Sequence, residues 1–168
     1  MTANGHLLDR PVAGSATQPG MPAAPRPLHA GHMDFAALET APFWARKYTR
    51  LLLGYCGISP ETTQTAEQVV SELVANAFLA TGSAPGTRLT YSERANTAVI
   101  RLILGHFRHG LLIEVIDSSP NPPILINPER DTEHGRGLWL VNALSREWGH
   151  FPVPNGGKCV YSILDITS

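Results

Sequence analysis

The chain has little cysteine, no long apolar run and no charge of one sign in excess, and each shortage excludes a class of protein. Its two cysteines, Cys56 and Cys159, sit in apolar segments without CxxC spacing, which reads as buried thiols rather than a disulfide or a zinc site. The seven histidines are scattered, without HExxH or other ligand spacing, so no structural metal is expected. The first residues have neither the basic start nor the continuous apolar stretch of a signal peptide, and runs such as LLLGYCGI fall far short of a membrane span. A soluble, cytoplasmic chain with no membrane partner is expected. Thirteen basic residues against 14 acidic ones give no bias toward nucleic acid or an anionic surface. There is no GxxxxGK(S/T), and GRGLWL lacks the third glycine of a dinucleotide fingerprint, so the P-loop and Rossmann readings fail. What is present is 168 residues, 43% of them hydrophobic, enough for one domain and a tail.

Residues 1–33 are rich in Pro, Gly, Ala, Ser and Thr without periodicity, and read as a disordered tail ahead of a domain spanning 34–168. From Thr40 to Cys56, the spacing of Phe43, Trp44, Tyr48, Leu51, Leu52 and Tyr55 predicts an amphipathic helix, with Arg46 and Arg50 outside the apolar stripe. Ser59, Pro60 and Glu61 then cap and start a second helix that Gly82 stops. RLTYSE reads as a short strand, and AVIRLILG and LLIEVID as an antiparallel hairpin turning near Arg108, His109 and Gly110. Between Ser118 and His134 runs a proline-rich stretch without period, longer than a compact domain usually holds without a functional reason, and it reads as a lid or binding loop. Gly135, Arg136 and Gly137 open a helix from Leu138 to Trp148, and a turn at Asn155-Gly156-Gly157 leads into a last strand, Lys158 to Ile166. Lys158 at that strand start could reach phosphates, although a lysine there is more often solvated.

The second helix is the centre of the pattern. Ala66, Val69, Val70, Leu73, Val74, Ala77 and Phe78 follow the i, i+3, i+4, i+7 spacing of a core-facing stripe. Glu72 and Asn76 lie one turn apart on its shoulder, so both should be partly buried. An Asn inside a helix costs about 0.5 kcal/mol against Ala, and a half-buried carboxylate needs a partner, so folding alone does not explain the pair. A carboxylate and an amide oxygen so placed could orient a hydroxyl and ligate a hard cation such as Mg²⁺. The plainer alternative is that both snorkel or cap a neighbouring loop. Asp117, at a strand end, could accept a hydrogen bond from an exocyclic amine. The N–H groups near Gly135, Arg136 and Gly137 could cradle phosphates at a helix start.

Taken in order, ExxxN at Glu72 and Asn76, VIDSSPNPP, GRGLWLV and GGKCVYSIL resemble the ATP-binding domain shared by gyrase, heat-shock chaperones, MutL and histidine kinases, the GHKL group. More narrowly, SELVANA, D-x-S-x-x-x-P and GRGLWLV look like the anti-sigma-factor serine kinases of bacterial sporulation and stress switches. The resemblance covers about residues 38–166 and implies a two-layer α/β sandwich, with a mixed, mostly antiparallel sheet covered by helices on one face. It implies ATP and Mg²⁺ bound between the Glu72 helix and a lid of residues 118–136. Glu72 would be the catalytic base, Asn76 the Mg²⁺ ligand and Asp117 the adenine reader, with Gly135, Arg136, Gly137 and Leu138 on the phosphates. The implied partners are a sigma factor and an anti-anti-sigma (STAS-type) protein in a bacterial cytoplasm, with a homodimer left open. The alternative is an ATP-gated binding module without kinase turnover. Asp117 is followed by Ser-Ser-Pro rather than the wider group's DxGxG, and no helix pair carries a phosphoacceptor His, which weakens a histidine-kinase reading.

Overall fold

The computed structural model describes residues 26–81, 90, 92, 96–123, 136–154 and 156–166. In chain order these form β1 (His29–Ala36), α1 (Ala41–Tyr55), α2 (Pro60–Thr81), β2 (Val99–Phe107), β3 (Gly110–Asp117), α3 (Arg136–Leu144), β4 (Glu147–Pro152) and β5 (Lys158–Asp165). The five strands make one sheet in the order β1-β2-β3-β5-β4, and all four ladders are antiparallel. The hairpin expected at Arg108 and His109 joins β2 to β3, whereas the expected RLTYSE strand falls largely outside the described residues.

Strand alternation puts Ile100, Leu102 and Leu104 of β2, Leu111, Ile113 and Val115 of β3, and Val160 and Leu164 of β5 into one buried cluster with α2. From α2 come Ala66, Val69, Val70, Leu73, Val74, Ala77 and Phe78, the stripe legible in the sequence. Each fully buried Val or Leu contributes about 1.5–3 kcal/mol relative to exposure, so this seam is the main stabilising contact of the two layers. Arg101, Ile103, Leu112 and Ile116, of opposite parity, are exposed or half-buried, which leaves the helices on one face. The α/β sandwich of the implied type is therefore present. Ser59 caps α2 as predicted, its hydroxyl accepting the Thr62 N–H at 3.2 Å.

Three elements differ from expectation. β1 begins at His29, so residues 29–33 belong to the sheet and not to the tail; HAGHMDFA lacks the alternation that would have marked a strand, being an edge strand mostly exposed on both faces. On α1 the core face is Ala41, Ala45, Thr49 and Leu53, while Phe43, Trp44, Leu51 and Tyr55 are exposed. Small residues let α1 lie close on α2, and the large ones are left outside, Phe43 meeting Trp44 edge-on at 5.2 Å. Arg50 then reaches Glu67 through two 2.7 Å hydrogen bonds, and Arg46 donates to Ser71 at 2.6 Å. Finally, α3 stops at Leu144 instead of Trp148. The Ser145 hydroxyl donates to the Val141 carbonyl at 2.6 Å, and the Arg146 N–H leaves the helix to donate to Ile163 at 2.8 Å, which starts strand β4.

Candidate functional site

β3 ends in Asp117 and β5 begins with Lys158, and antiparallel register sets the two directly opposite, on the face that carries the helices. The Lys158 ammonium donates to Asp117 Oδ1 at 2.9 Å, and the Ser119 N–H donates to the same oxygen at 2.8 Å. Lys158 also donates to the Ser119 carbonyl at 3.4 Å. Both side chains are buried, 7% and 1% exposed. This corrects the expectation of a solvated Lys158. The signal that could have found it was register, since a strand-initial Lys opposite a strand-final Asp on the core face needs that partner. Asp117 Oδ2 is buried and has no hydrogen-bond partner among the described residues. A buried acceptor left so costs about 1–3 kcal/mol, which a donor from outside the described residues would recover.

Glu72 and Asn76 are half-buried on α2, as the helical spacing predicted. The Glu72 carboxylate lies against Gly137 in the first turn of α3, so closely that a Cβ at Gly137 would overlap Glu72 Oε2. A side chain at position 137 would push the Glu72 carboxylate aside. A helix start carries unpaired N–H groups and the positive end of the dipole, and so favours an anion, whether a carboxylate or a phosphate. Leu138 turns its side chain into the core at 4% exposure, which leaves its backbone N–H as the group it could offer a ligand. Arg136 begins α3, and Gly135, with the central part of the expected lid, lies outside the described residues.

The structure thus brings Glu72 and Gly137 together and sets Asn76 one turn further along α2, with Asp117 on the sheet face that α2 covers. A cavity of about 230 Å³ also opens beside Asp117, lined by Val99, Arg101, Ile116, Ser118, Val153 and Gly157. Val99, Arg101 and Ile116 belong to the parity of the sheet face away from the helices, so this cavity is not the space between α2 and α3.

The layers and strand order are those of an α/β sandwich of the histidine kinase-like ATPase type. A solved structure with this architecture is that of the RsbU and RsbW domains of Rv1364c from Mycobacterium tuberculosis, 17% identical, with a TM-score of 0.54 over 83% of this chain and 33% of that one. The chain spans about a third of that neighbour's length, and the likeness is one of fold. No protein-family model and no curated protein matches the sequence. Among the described residues no helix is long and apolar enough to cross a membrane.

Proposed function

We propose that the chain is an ATP-binding regulator that transfers phosphate to a serine of an anti-anti-sigma (STAS-type) partner and sequesters a sigma factor. The observation that carries the nucleotide reading is Asp117 Oδ2, a buried acceptor lacking a donor among the described residues. Lys158 and the Ser119 N–H hold the other oxygen and fix the carboxylate plane, so Oδ2 presents one defined direction to an exocyclic amine such as that of adenine. The Gly137 backbone, bare of a Cβ, suits the second requirement, close approach of a phosphate to a helix start.

In this reading Leu138, Gly137, Arg136 and Gly135 offer backbone N–H groups to the phosphates, and the Asn76 amide oxygen ligates Mg²⁺. Bound Mg²⁺ supplies charge neutralisation on the phosphates. Glu72 orients the incoming seryl hydroxyl and accepts its proton, and positioning accounts for most of the acceleration. The similarity of fold to the Rv1364c structure is consistent with this reading and goes no further.

A second reading, an ATP-gated binding module without turnover, has its own support. Glu72 already sits on the first turn of α3, where it could serve as a dipole partner and nothing more. Incubating the full chain with labelled ATP, Mg²⁺ and candidate STAS-type proteins separates the two. Phosphoserine on a partner is expected; ATP binding with no transfer to any partner leaves the module, and no ATP binding overturns both.

A further inference from the structure

Three side chains remote in sequence meet at the other end of the sheet. His29 opens β1 and pairs in register with His106 of β2, and the Leu28 N–H donates to the His106 carbonyl at 2.7 Å, so the two histidines are held side by side. Cys56 follows the last residue of α1. Its place is fixed by the helix end, where the Ile58 N–H donates to Leu53 at 3.0 Å, the Gly57 N–H to Gly54 at 3.1 Å, and Gly57 takes φ 70°. His29 Nδ1 lies 3.4 Å from His106 Nδ1, and one ligand atom from each of His29, Cys56 and His106 falls within 4.8 Å of the others.

We propose that His29, Cys56 and His106 form a zinc site that clips β1, the end of α1 and β2 together. Zinc binds imidazole nitrogen at about 2.0–2.1 Å in a tetrahedron, whose nitrogen–nitrogen edge is then about 3.4 Å. The observed 3.4 Å matches that edge. The ring centroids are 5.6 Å apart, the nitrogen gap plus about one ring radius on each side, and the planes are within 15° of parallel. The rings therefore meet nitrogen edge to nitrogen edge, and each needs only a turn about its soft Cβ–Cγ torsion to aim both lone pairs at one ion. His29 is exposed, and Cys56 and His106 are half-buried.

Two imidazoles and a thiolate suit Zn²⁺ and not the hard cations Mg²⁺ or Ca²⁺. The fourth position falls to water, as in open zinc sites. Both imidazoles bind neutral, with the proton on Nε2. The Cys56 thiol releases its proton to solvent as the zinc–sulfur bond forms, so one proton leaves per ion. Ile116, next to Asp117, pairs with Arg101 near the start of β2, whereas His106 is at the other end, about 17 Å away along a strand rising 3.4 Å per residue. The site is therefore independent of the proposed nucleotide chemistry.

The test uses the untagged, metal-free full chain titrated with Zn²⁺ by calorimetry, and with Co²⁺ as a spectroscopic probe. One ion per chain is expected, with one proton released, a thiolate-to-cobalt charge-transfer band in the near ultraviolet, and a melting temperature that rises with zinc. Cys56→Ser should abolish the band and weaken zinc binding by more than the roughly 10- to 100-fold that losing an outer-shell partner costs. His29→Gln, at an exposed edge position where refolding is not at risk, should weaken it comparably, and Cys159→Ser should leave binding intact. Absence of saturable zinc binding, or a cobalt band that survives Cys56→Ser, overturns the site.

Discussion

Lys158 Nζ lies 2.9 Å from Asp117 Oδ1, and the pair is buried where β3 and β5 come into register. Removing one member of a buried pair strands the other charge, at about 3–5 kcal/mol, whereas removing both is often neutral. Lys158→Met should therefore destabilise the fold strongly, Asp117→Asn measurably, and the double variant Asp117→Asn with Lys158→Met less than either alone. Urea unfolding of the three variants checks this. A double variant as unstable as the sum of the singles would mean that the two side chains do not act as a pair. Had Asp117 been a ligand residue only, its substitution would have left stability untouched.

Asp117→Asn has a second expected consequence. Loss of the charged acceptor, worth about 1.5–3 kcal/mol in a hydrogen bond, should lower ATP affinity roughly ten- to hundredfold. Calorimetry at a temperature where the variant is still folded reads this apart from stability, and unchanged affinity would remove Asp117 from the adenine role.

How much of this was legible follows from what each residue's neighbours are. The α2 stripe and the half-burial of Glu72 and Asn76 depend on one helical period, and the hairpin on alternation and a short turn, all local properties. Ala41, Ala45 and Thr49 were missed as the core face of α1 because apolar size misleads where close helix contact selects small side chains. β4 was hidden because Ser145 and Arg146 leave the helix by bonds to Val141 and to Ile163, the latter across the sheet. Lys158 and the His29, Cys56 and His106 cluster needed strand register, which no local window contains.

Glu114 sits on the sheet face away from the helices, with Oε2 buried and unpartnered among the described residues and the Cys159 thiol 4.0 Å from Oε1. Burial raises its pKa above the ordinary 4.5. The folded state thus keeps this proton to higher pH than the unfolded state does. Its contribution to stability is fully present below about 4.5 and is lost as pH rises through the folded pKa. Glu114→Gln cannot ionise, so the stability difference, variant minus wild type, should grow from about pH 4 to about pH 8. Denaturant midpoints across that range check the sign, and a constant or shrinking difference would contradict it.

The two thiols should differ in reactivity. Burial, and then the charges of Glu114 and Asp117, push the Cys159 pKa up to about 12. Cys56 is raised by burial too, yet is only half-buried. Since the thiolate is the reactive form, alkylation of the folded, metal-free chain near neutral pH should label Cys56 slowly and Cys159 hardly at all. Peptide mass spectrometry reads both sites, and equal labelling would mean that Cys159 is far more open than its burial implies.

Glu72 decides between the two functional readings, because its carboxylate can be a base or only an anion on the amino end of α3. Glu72→Gln keeps size and hydrogen-bonding reach and loses both charge and basicity. As a dipole partner Glu72 contributes about 0.3–1 kcal/mol, so the variant should lose at most that much stability in either reading. As a base it contributes far more to the chemical step: phosphoryl transfer to the serine of the partner should fall about a hundredfold or more, with ATP and partner binding retained. Asn76→Ala should fail differently, by weakening Mg·ATP binding itself through loss of the amide oxygen. Stopped-time phosphoserine assays beside calorimetry on both variants separate the roles. Wild-type protein that binds Mg·ATP yet transfers phosphate to no partner, with Glu72→Gln indistinguishable from it, would leave the carboxylate a structural anion and the chain a gated binder.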